Sequence, residues 1–156
     1  MADKKNKNEG SKNIAQNRKA FHDYFVKERF EAGISLTGTE VKSCRANGVS
    51  LADSYAAVAD GELKLIGVHI APYEMGNRFN HEPRRQRILL MHKREIARLK
   101  KNVEQKGLTL IPLSFYFKNG RVKVELGLCQ GKQAHDKRDA LKEQMDKRDM
   151  ERRVKR

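Results

Sequence analysis

Five histidines, two cysteines and a glycine-containing run near the C-terminal end are the residues of this chain with chemistry to offer, and their spacing argues against each reaction in turn. His22, His69, His81, His92 and His135 fall into no HxxxH or HExxH grouping, the spacing that sets two imidazoles on one helix face around a metal. Cys44 and Cys129 lie far apart without a CxxC or Cys/His pattern, so they read as reduced thiols packed as small apolar groups. The run G-L-C-Q-G-K-Q from Gly127 to Gln133 is one residue too short between its glycines for a Walker phosphate loop, and Gln133 offers no hydroxyl to magnesium. A nuclease pairing His22 with His135 or Glu31 has suitable acids and bases, yet nothing in the sequence makes those groups converge. No catalytic residue, metal or cofactor is expected.

Charge supplies the stronger signal. Across 156 residues, 34 Lys and Arg face 20 Asp and Glu, a formal charge of +14, so polyanions are the natural partners and nucleic acid comes first. Tyr24, Tyr55, Tyr73 and Tyr116 could stack on bases of single-stranded or looped RNA, while most of the six phenylalanines are expected in the core. No run approaches the roughly 20 apolar residues of a membrane span and no signal peptide opens the chain, so a cytoplasmic location without membrane contact is expected. With 38% apolar residues and a mean hydropathy of -0.82, one domain with a modest core is expected, and a large enzyme is excluded.

The elements that must position these groups are organised around Asn17–Arg45. Phe21, Tyr24 and Phe25 could mark a helix face, whereas Phe30, Ile34 and Leu36 fit a strand, bent where Gly33 allows a bulge or a close backbone approach. Thr37 as N-cap with Glu40 three residues on predicts a short helix that Asn47-Gly48 stops. Asp60-Gly61 predicts a hairpin between residues 53–59 and 62–70, and Asn119-Gly120 another between 108–117 and 122–129. Pro72, Gly76, Asn77, Asn80 and Pro83 make 71–83 a loop enclosed by Tyr73 and Phe79. Beyond the cationic knot of Arg84, Arg85 and Arg87, the stripe of Leu89 or Leu90 with Ile96, Leu99 and Val103, capped at Gly107, predicts an amphipathic helix. Its flank of Arg94, Arg98, Lys100, Lys101 and Lys106 is either ordinary solvated surface or an RNA contact.

So many short antiparallel strands solve their edge problem by closing on themselves, and a five- or six-stranded Greek-key barrel of oligonucleotide-binding (OB) type fits, with a sandwich as the alternative. Residues 1–13 are expected to be a flexible basic arm, serving solubility or seeking phosphate, ahead of a core domain over 14–131. The tail, 132–156, holds ten Lys and Arg against six Asp and Glu, too polar to fold alone. Leu141 with Met145 and Glu143 with Lys147 let it become helical once a partner stabilises it; a disordered solubilising tail is the alternative.

Composition stops at a basic barrel that binds nucleic acid; particular residues go further. N-R-K-A-x-H-x-Y-F at 17–25, F-E-A-G-I at 30–34, G-T-E-V-K-S at 38–43, D-S-Y at 53–55, I-A-P-Y at 70–73 and G-K-Q-x-H-D-K-R at 131–138 together resemble the small protein B family of bacterial transfer-messenger-RNA-binding (SsrA-binding) proteins. The blocks are collinear over nearly the whole chain. The resemblance implies a mainly β protein: a closed six-stranded antiparallel OB-like barrel with two or three flanking helices. It implies a monomeric adaptor for trans-translation, the rescue of stalled ribosomes, partnered by transfer-messenger RNA and the ribosome. Elongation factor Tu and alanyl-tRNA synthetase enter indirectly, through the RNA.

By the same resemblance, Asn17, His22, Tyr24, Glu31, Lys42, Arg45, Leu90, His92 and Lys123 hold the tRNA-like domain. Lys42, Arg45 and Lys123 suit phosphates, Tyr24 and His22 can stack or donate, and Glu31 can accept from a base edge. The plainer alternatives are a surface ion pair for Glu31 and a core position for Leu90. Gly131, Lys132, His135, Asp136, Lys137 and Arg138 would be the tail's contacts, in the decoding centre and the empty message channel. A generic OB-fold RNA-binding or ribosomal protein is the competing function. Three positions depart from the family pattern: Gln133 where a second lysine is usual, His92 where asparagine is common, and Thr39 where some members carry tryptophan.

Overall fold

A computed structural model describes residues 11–75 and 80–154. The elements are β1 (Ser11–Gln16), α1 (Arg18–Asp23), β2 (Tyr24–Ile34), α2 (Gly38–Arg45), β3 (Val49–Ser50), β4 (Tyr55–Ala59), β5 (Glu62–Ile66), β6 (His69–Ile70), β7 (Arg87–Leu90), α3 (Lys93–Lys106), β8 (Thr109–Lys118), β9 (Arg121–Gly131) and α4 (Ala134–Val154). Residues 1–10 of the expected arm, and Phe79 of the expected loop, lie outside the described residues.

Local chemistry accounts for most boundaries. Asp60 and Gly61 adopt φ of +54° and +76°, and Asn119 and Gly120 adopt +53° and +75°, the left-handed pairs that turn β4 into β5 and β8 into β9 without splaying the strands. Thr37 and Glu40 form a reciprocal capping box at the start of α2. Gly107 closes α3 at φ +64°, and Ile96, Leu99 and Val103 turn that helix onto the core.

The main sheet is antiparallel and has the strand order β1-β8-β4-β5-β7-β2-β9, with β8 also pairing β9; β3 and β6 form a separate pair. The pairings therefore run in a circuit through six strands, with β1 added outside on β8. The thinnest link is β4 to β8, where Ala56 opposite Leu110 is the registered pair. Lys100, Val103 and Glu104 of α3 face that seam across a cavity of about 210 Å³. Inside the curl, Val122, Val124, Leu126 and Leu128 alternate inward from β9 and meet Phe115, Leu110, Leu63, Leu65 and Leu89. A smaller cluster of Ile111, Leu113, Cys129 and Ala20 lies under α1, so β8 is buried on both faces there. At Gly127 a Cβ would stand 2.9 Å from the Leu113 side chain, so this packing needs glycine.

Several expectations change. Among the described residues β1 adds a seventh strand outside the six-strand circuit, β3 and β6 pair apart from it, and a fourth helix, in the tail, joins the three that flank the sheet. Strand β1 starts at Ser11, inside the expected arm, because it pairs along β8. Tyr24 and Phe25 open a strand and do not continue the helix of Phe21. Leu89 and Leu90 belong to β7, where alternate burial marks a strand, so the helical stripe starts at Ile96. Of the phenylalanines among the described residues, Phe115 is fully buried and Phe30 and Phe117 pack partly buried against the core, whereas Phe21 and Phe25 are exposed. The tail carries a 21-residue helix from Ala134 to Val154, in keeping with the i,i+4 spacing of Glu143 and Lys147.

Candidate nucleic-acid interface

The register of β7, β2, β9, β8 and β1 sets five residues in one row. Leu90 faces Gly33, Gly33 faces Lys123, Lys123 faces Tyr116 and Tyr116 faces Asn13. At a strand spacing of about 4.8 Å, the row spans roughly 19 Å. Leu90 is 58% exposed, which settles against a core position. Gly33 lets Leu90 lie close against the bare β2 backbone, since a Cβ there would stand only 3.3 Å from the Leu90 Cβ. His92 follows at the N-cap of α3 with no side-chain capping bond, exposed to solvent.

Two residues before Gly33, on the same face of β2, Glu31 accepts a hydrogen bond from the Tyr116 hydroxyl at 2.5 Å. Lys118 Nζ donates to both Glu31 oxygens at 3.2 and 3.3 Å. Partial burial opposes ionisation of Glu31, but Tyr116 and the ammonium groups of Lys118 and Lys123 outweigh it and hold its pKa below the ordinary value. Burial and the neighbouring carboxylate push the Tyr116 phenol upward, so it stays a donor. The ion pair expected as the plainer alternative for Glu31 is therefore present. Tyr116 and Lys118 as its partners, and Leu90 as the side chain that lies against Gly33, could not be found from sequence, because they become neighbours only through strand register.

Lys42 and Arg45 project from α2 into solvent, with Lys42 Nζ 5.5 Å from the centre of the Tyr73 ring, a cation–π contact. What holds α2 is buried. Glu40, fully enclosed, binds both Arg85 and Arg87. Arg87, equally enclosed, donates to the carbonyls of Val68 and Arg85 at 2.9 Å and Pro83 at 3.0 Å. Backbone and side-chain hydrogen bonds and the nearby cations overcome the burial that would neutralise Glu40, leaving its pKa lowered. Arg87 thus leaves the expected cationic knot to become an internal tie between α2 and the 67–87 segment.

Asn17, His22 and Tyr24 sit at the other end of β2. Seven residues separate Tyr24 from Glu31, about 23 Å of strand, so the expected RNA contacts divide between two ends. Asn17 is 7% exposed. Its oxygen accepts from the Ala20 N–H at 3.1 Å, and its amide donates to the carbonyls of Pro112 and Leu51 at 3.0 and 3.3 Å. Here the expectation of a surface contact fails, since these bonds spend the Asn17 amide inside the protein. His22 is exposed beside Asp23, at 2.9 Å, and Tyr24 lies opposite Gly131, the last residue of β9. The His22–Glu31 pairing, one of the two open to a nuclease, does not form across this distance; the His135 side chain of the other lies outside the described residues.

The tail starts at that same end. Lys132 donates its backbone N–H to the Asp23 carbonyl at 2.9 Å and its ammonium to the Phe21 carbonyl at 3.3 Å, and its ammonium also lies 4.9 Å from the Phe25 ring centre. Arg29 sits over Phe21 and Lys27 over Phe25. Exposed aromatic faces thus alternate with cations where the tail leaves β9. Arg138 is exposed on α4; the side chains of His135, Asp136 and Lys137 lie outside the described residues.

Among the described residues no three His, Cys, Asp or Glu side chains are grouped to hold a metal, and no helix is long and apolar enough to cross a membrane. Cys44 and Cys129 are buried free thiols, which burial pushes up to pKa values of about 12 and about 11.

A family model described as SmpB protein matches residues 14–156. The SsrA-binding protein of Carboxydothermus hydrogenoformans is 58% identical over 141 residues, covering 90% of this chain and 92% of its own. That of Clostridium perfringens is 56% identical over 149 residues, 96% of each chain. A solved structure described as "tmRNA-SmpB: a journey to the center of the bacterial ribosome" matches with a TM-score of 0.66 at 55% identity, covering 77% of this chain and 85% of that one. A family match that takes in both ends of β2 and the tail, beside relatives more than half identical over nine-tenths of the sequence, makes this chain a member of the SmpB protein family.

Proposed function

We propose that the protein is an RNA-binding adaptor of trans-translation. It binds the tRNA-like domain of transfer-messenger RNA and delivers it to stalled ribosomes, where the tail reads the vacant decoding centre and message channel. The observation that carries this reading is the registered row of Leu90, Gly33, Lys123 and Tyr116, with Glu31 beside it. A cation and an exposed aliphatic packed against bare backbone on rigid strands suit a folded RNA surface, where phosphates position and base edges specify. The names of the relatives and of the solved structure point to the same RNA and to the ribosome.

In this account the six-strand circuit is a closed OB-like barrel, sealed at the β4–β8 seam by α3. Leu90, His92, Glu31 and Lys123 contact the tRNA-like domain, with Lys42 and Arg45 answering phosphates from α2. Asn17 acts from inside, fixing the α1 turn so that His22 and Tyr24 stand ready at the tail end. Gly131, Lys132, His135, Asp136, Lys137 and Arg138 lead the tail into ribosomal RNA, whose charge and packing hold α4 as a helix. The protein works in the cytoplasm as a scaffold and carries no cofactor; peptide transfer belongs to the ribosome. Elongation factor Tu and alanyl-tRNA synthetase meet it through the shared RNA.

Competition binding tests the reading. Labelled transfer-messenger RNA is challenged with tRNA and with poly(U) at one stated salt concentration, and the recovered RNA is inspected for cleavage. The expected order is transfer-messenger RNA, then tRNA, then poly(U), with the RNA intact. Equal competition by poly(U) would instead support a generic OB-fold RNA-binding or ribosomal protein, and cleaved RNA a nuclease.

A further inference from the structure

A carboxylate on a face meant for polyanions works against affinity, because it repels every phosphate that approaches. Glu31 stands on such a face, in a chain of formal charge +14, with Lys118 and Lys123 beside it. Its bonds contribute little to the fold: the side chains of Glu31 and Lys118 are 40% and 39% exposed, and ion pairs that open to water add on the order of 0–1 kcal/mol. Yet the group is held firmly. Oε2 accepts from the Tyr116 hydroxyl and from Lys118, while Oε1 accepts from Lys118 alone, at 3.3 Å. An ionised carboxylate has about four acceptor positions, so capacity remains on Oε1.

We propose that Tyr116 is a positioning residue for RNA recognition, fixing Glu31 as an oriented acceptor for an amino or imino N–H on the edge of an unpaired base. The inference rests on the RNA face proposed above and adds how that face discriminates. A base edge that offers N–H satisfies the carboxylate, whereas a phosphate or a base edge presenting acceptors is repelled; the penalty against wrong RNA matters as much as the contact with the right one. Tyr116 suits the task because its backbone is fixed on both sides, by Lys123 in β9 and Asn13 in β1. Its raised pKa keeps the hydroxyl proton on the phenol as a donor.

A double-mutant cycle on the full-length protein tests this, with affinity for the tRNA-like domain of transfer-messenger RNA read at several salt concentrations. Tyr116→Phe keeps the ring and removes only the hydroxyl. It should weaken binding roughly 10- to 150-fold, the scale of one hydrogen bond to a charged group, with an unchanged salt slope because no charge is lost. Glu31→Ala should weaken it at least as much, and the double variant should bind no worse than Glu31→Ala alone, since Tyr116 acts through Glu31. Urea midpoints of all three should stay near the parent's, separating recognition from folding. A Tyr116→Phe protein that binds like the parent, or a double variant whose loss is the product of the single losses, overturns the role of Tyr116 while leaving the RNA face standing. An inert Glu31→Ala overturns the placement of RNA on this face, and the role of Tyr116 with it.

Discussion

Removing Glu40 should unfasten α2 from the rest of the protein. Glu40 and Arg87 are both fully enclosed, and Arg85 joins them at the surface. In Glu40→Ala the Arg87 guanidinium keeps its charge in the interior without a countercharge, a loss of about 3–5 kcal/mol for one partner of a buried pair. The capping-box acceptor for the Thr37 N–H goes too, typically about 1 kcal/mol more. A total near 4–6 kcal/mol should lower the melting temperature by about 10–25 °C in a domain of this size. Arg87→Met should cost at least as much, because it also orphans the carbonyls of Val68, Pro83 and Arg85. Acid should act in the same direction. The Glu40 pKa is depressed in the folded protein, so its contribution is complete above the unfolded carboxylate value of about 4.3 and lost as pH falls through the lower folded value. Urea unfolding followed by circular dichroism at pH 7, repeated down the acid range, measures both effects. A Glu40→Ala midpoint within about 1 kcal/mol of the parent would refute the claim that this pair anchors α2.

Lys123→Ala should weaken transfer-messenger-RNA binding and reduce the log–log salt slope by about 1, as loss of one phosphate contact requires; filter binding over a salt series reads this. Cys44 and Cys129 should resist a thiol reagent at neutral pH, with burial holding their pKa values near about 12 and about 11, and react only as fast as the protein opens. The isolated 132–156 peptide should be largely non-helical in water by circular dichroism, because α4 exposes Leu141, Met145 and Met150 and a polar helix of this length is marginal without packing.

What could be read from sequence was whatever a few neighbouring residues decide. Asp60-Gly61, Asn119-Gly120, Thr37 with Glu40, and Gly107 each impose a backbone geometry on their own neighbourhood, and each element boundary fell where that chemistry put it. Four residues of β7 could not be told from the first turn of a helix, because Leu89 and Leu90 satisfy both periods. Glu40 and Arg87, far apart in the chain, carry no mutual signal, so an arginine that looks like surface charge becomes the largest fully enclosed side chain among the described residues. Motif matching named Leu90, Lys123 and Glu31 but not the register that lines them up with Gly33 and Tyr116. It also grouped Asn17, His22 and Tyr24 with them, since a motif carries residue identity and not the length of the strand between.

The central claim is that the RNA-holding face and the ribosome-reading tail are separate parts at opposite ends of β2. A truncation after Gln133 keeps β9 and the Lys132 bonds to α1 and removes α4 alone. In a reconstituted reaction with stalled ribosomes, this protein should bind transfer-messenger RNA with the parent's affinity and yield no tagged peptide. Tagged peptide at the parent's level, or loss of RNA affinity on truncation, would contradict the account.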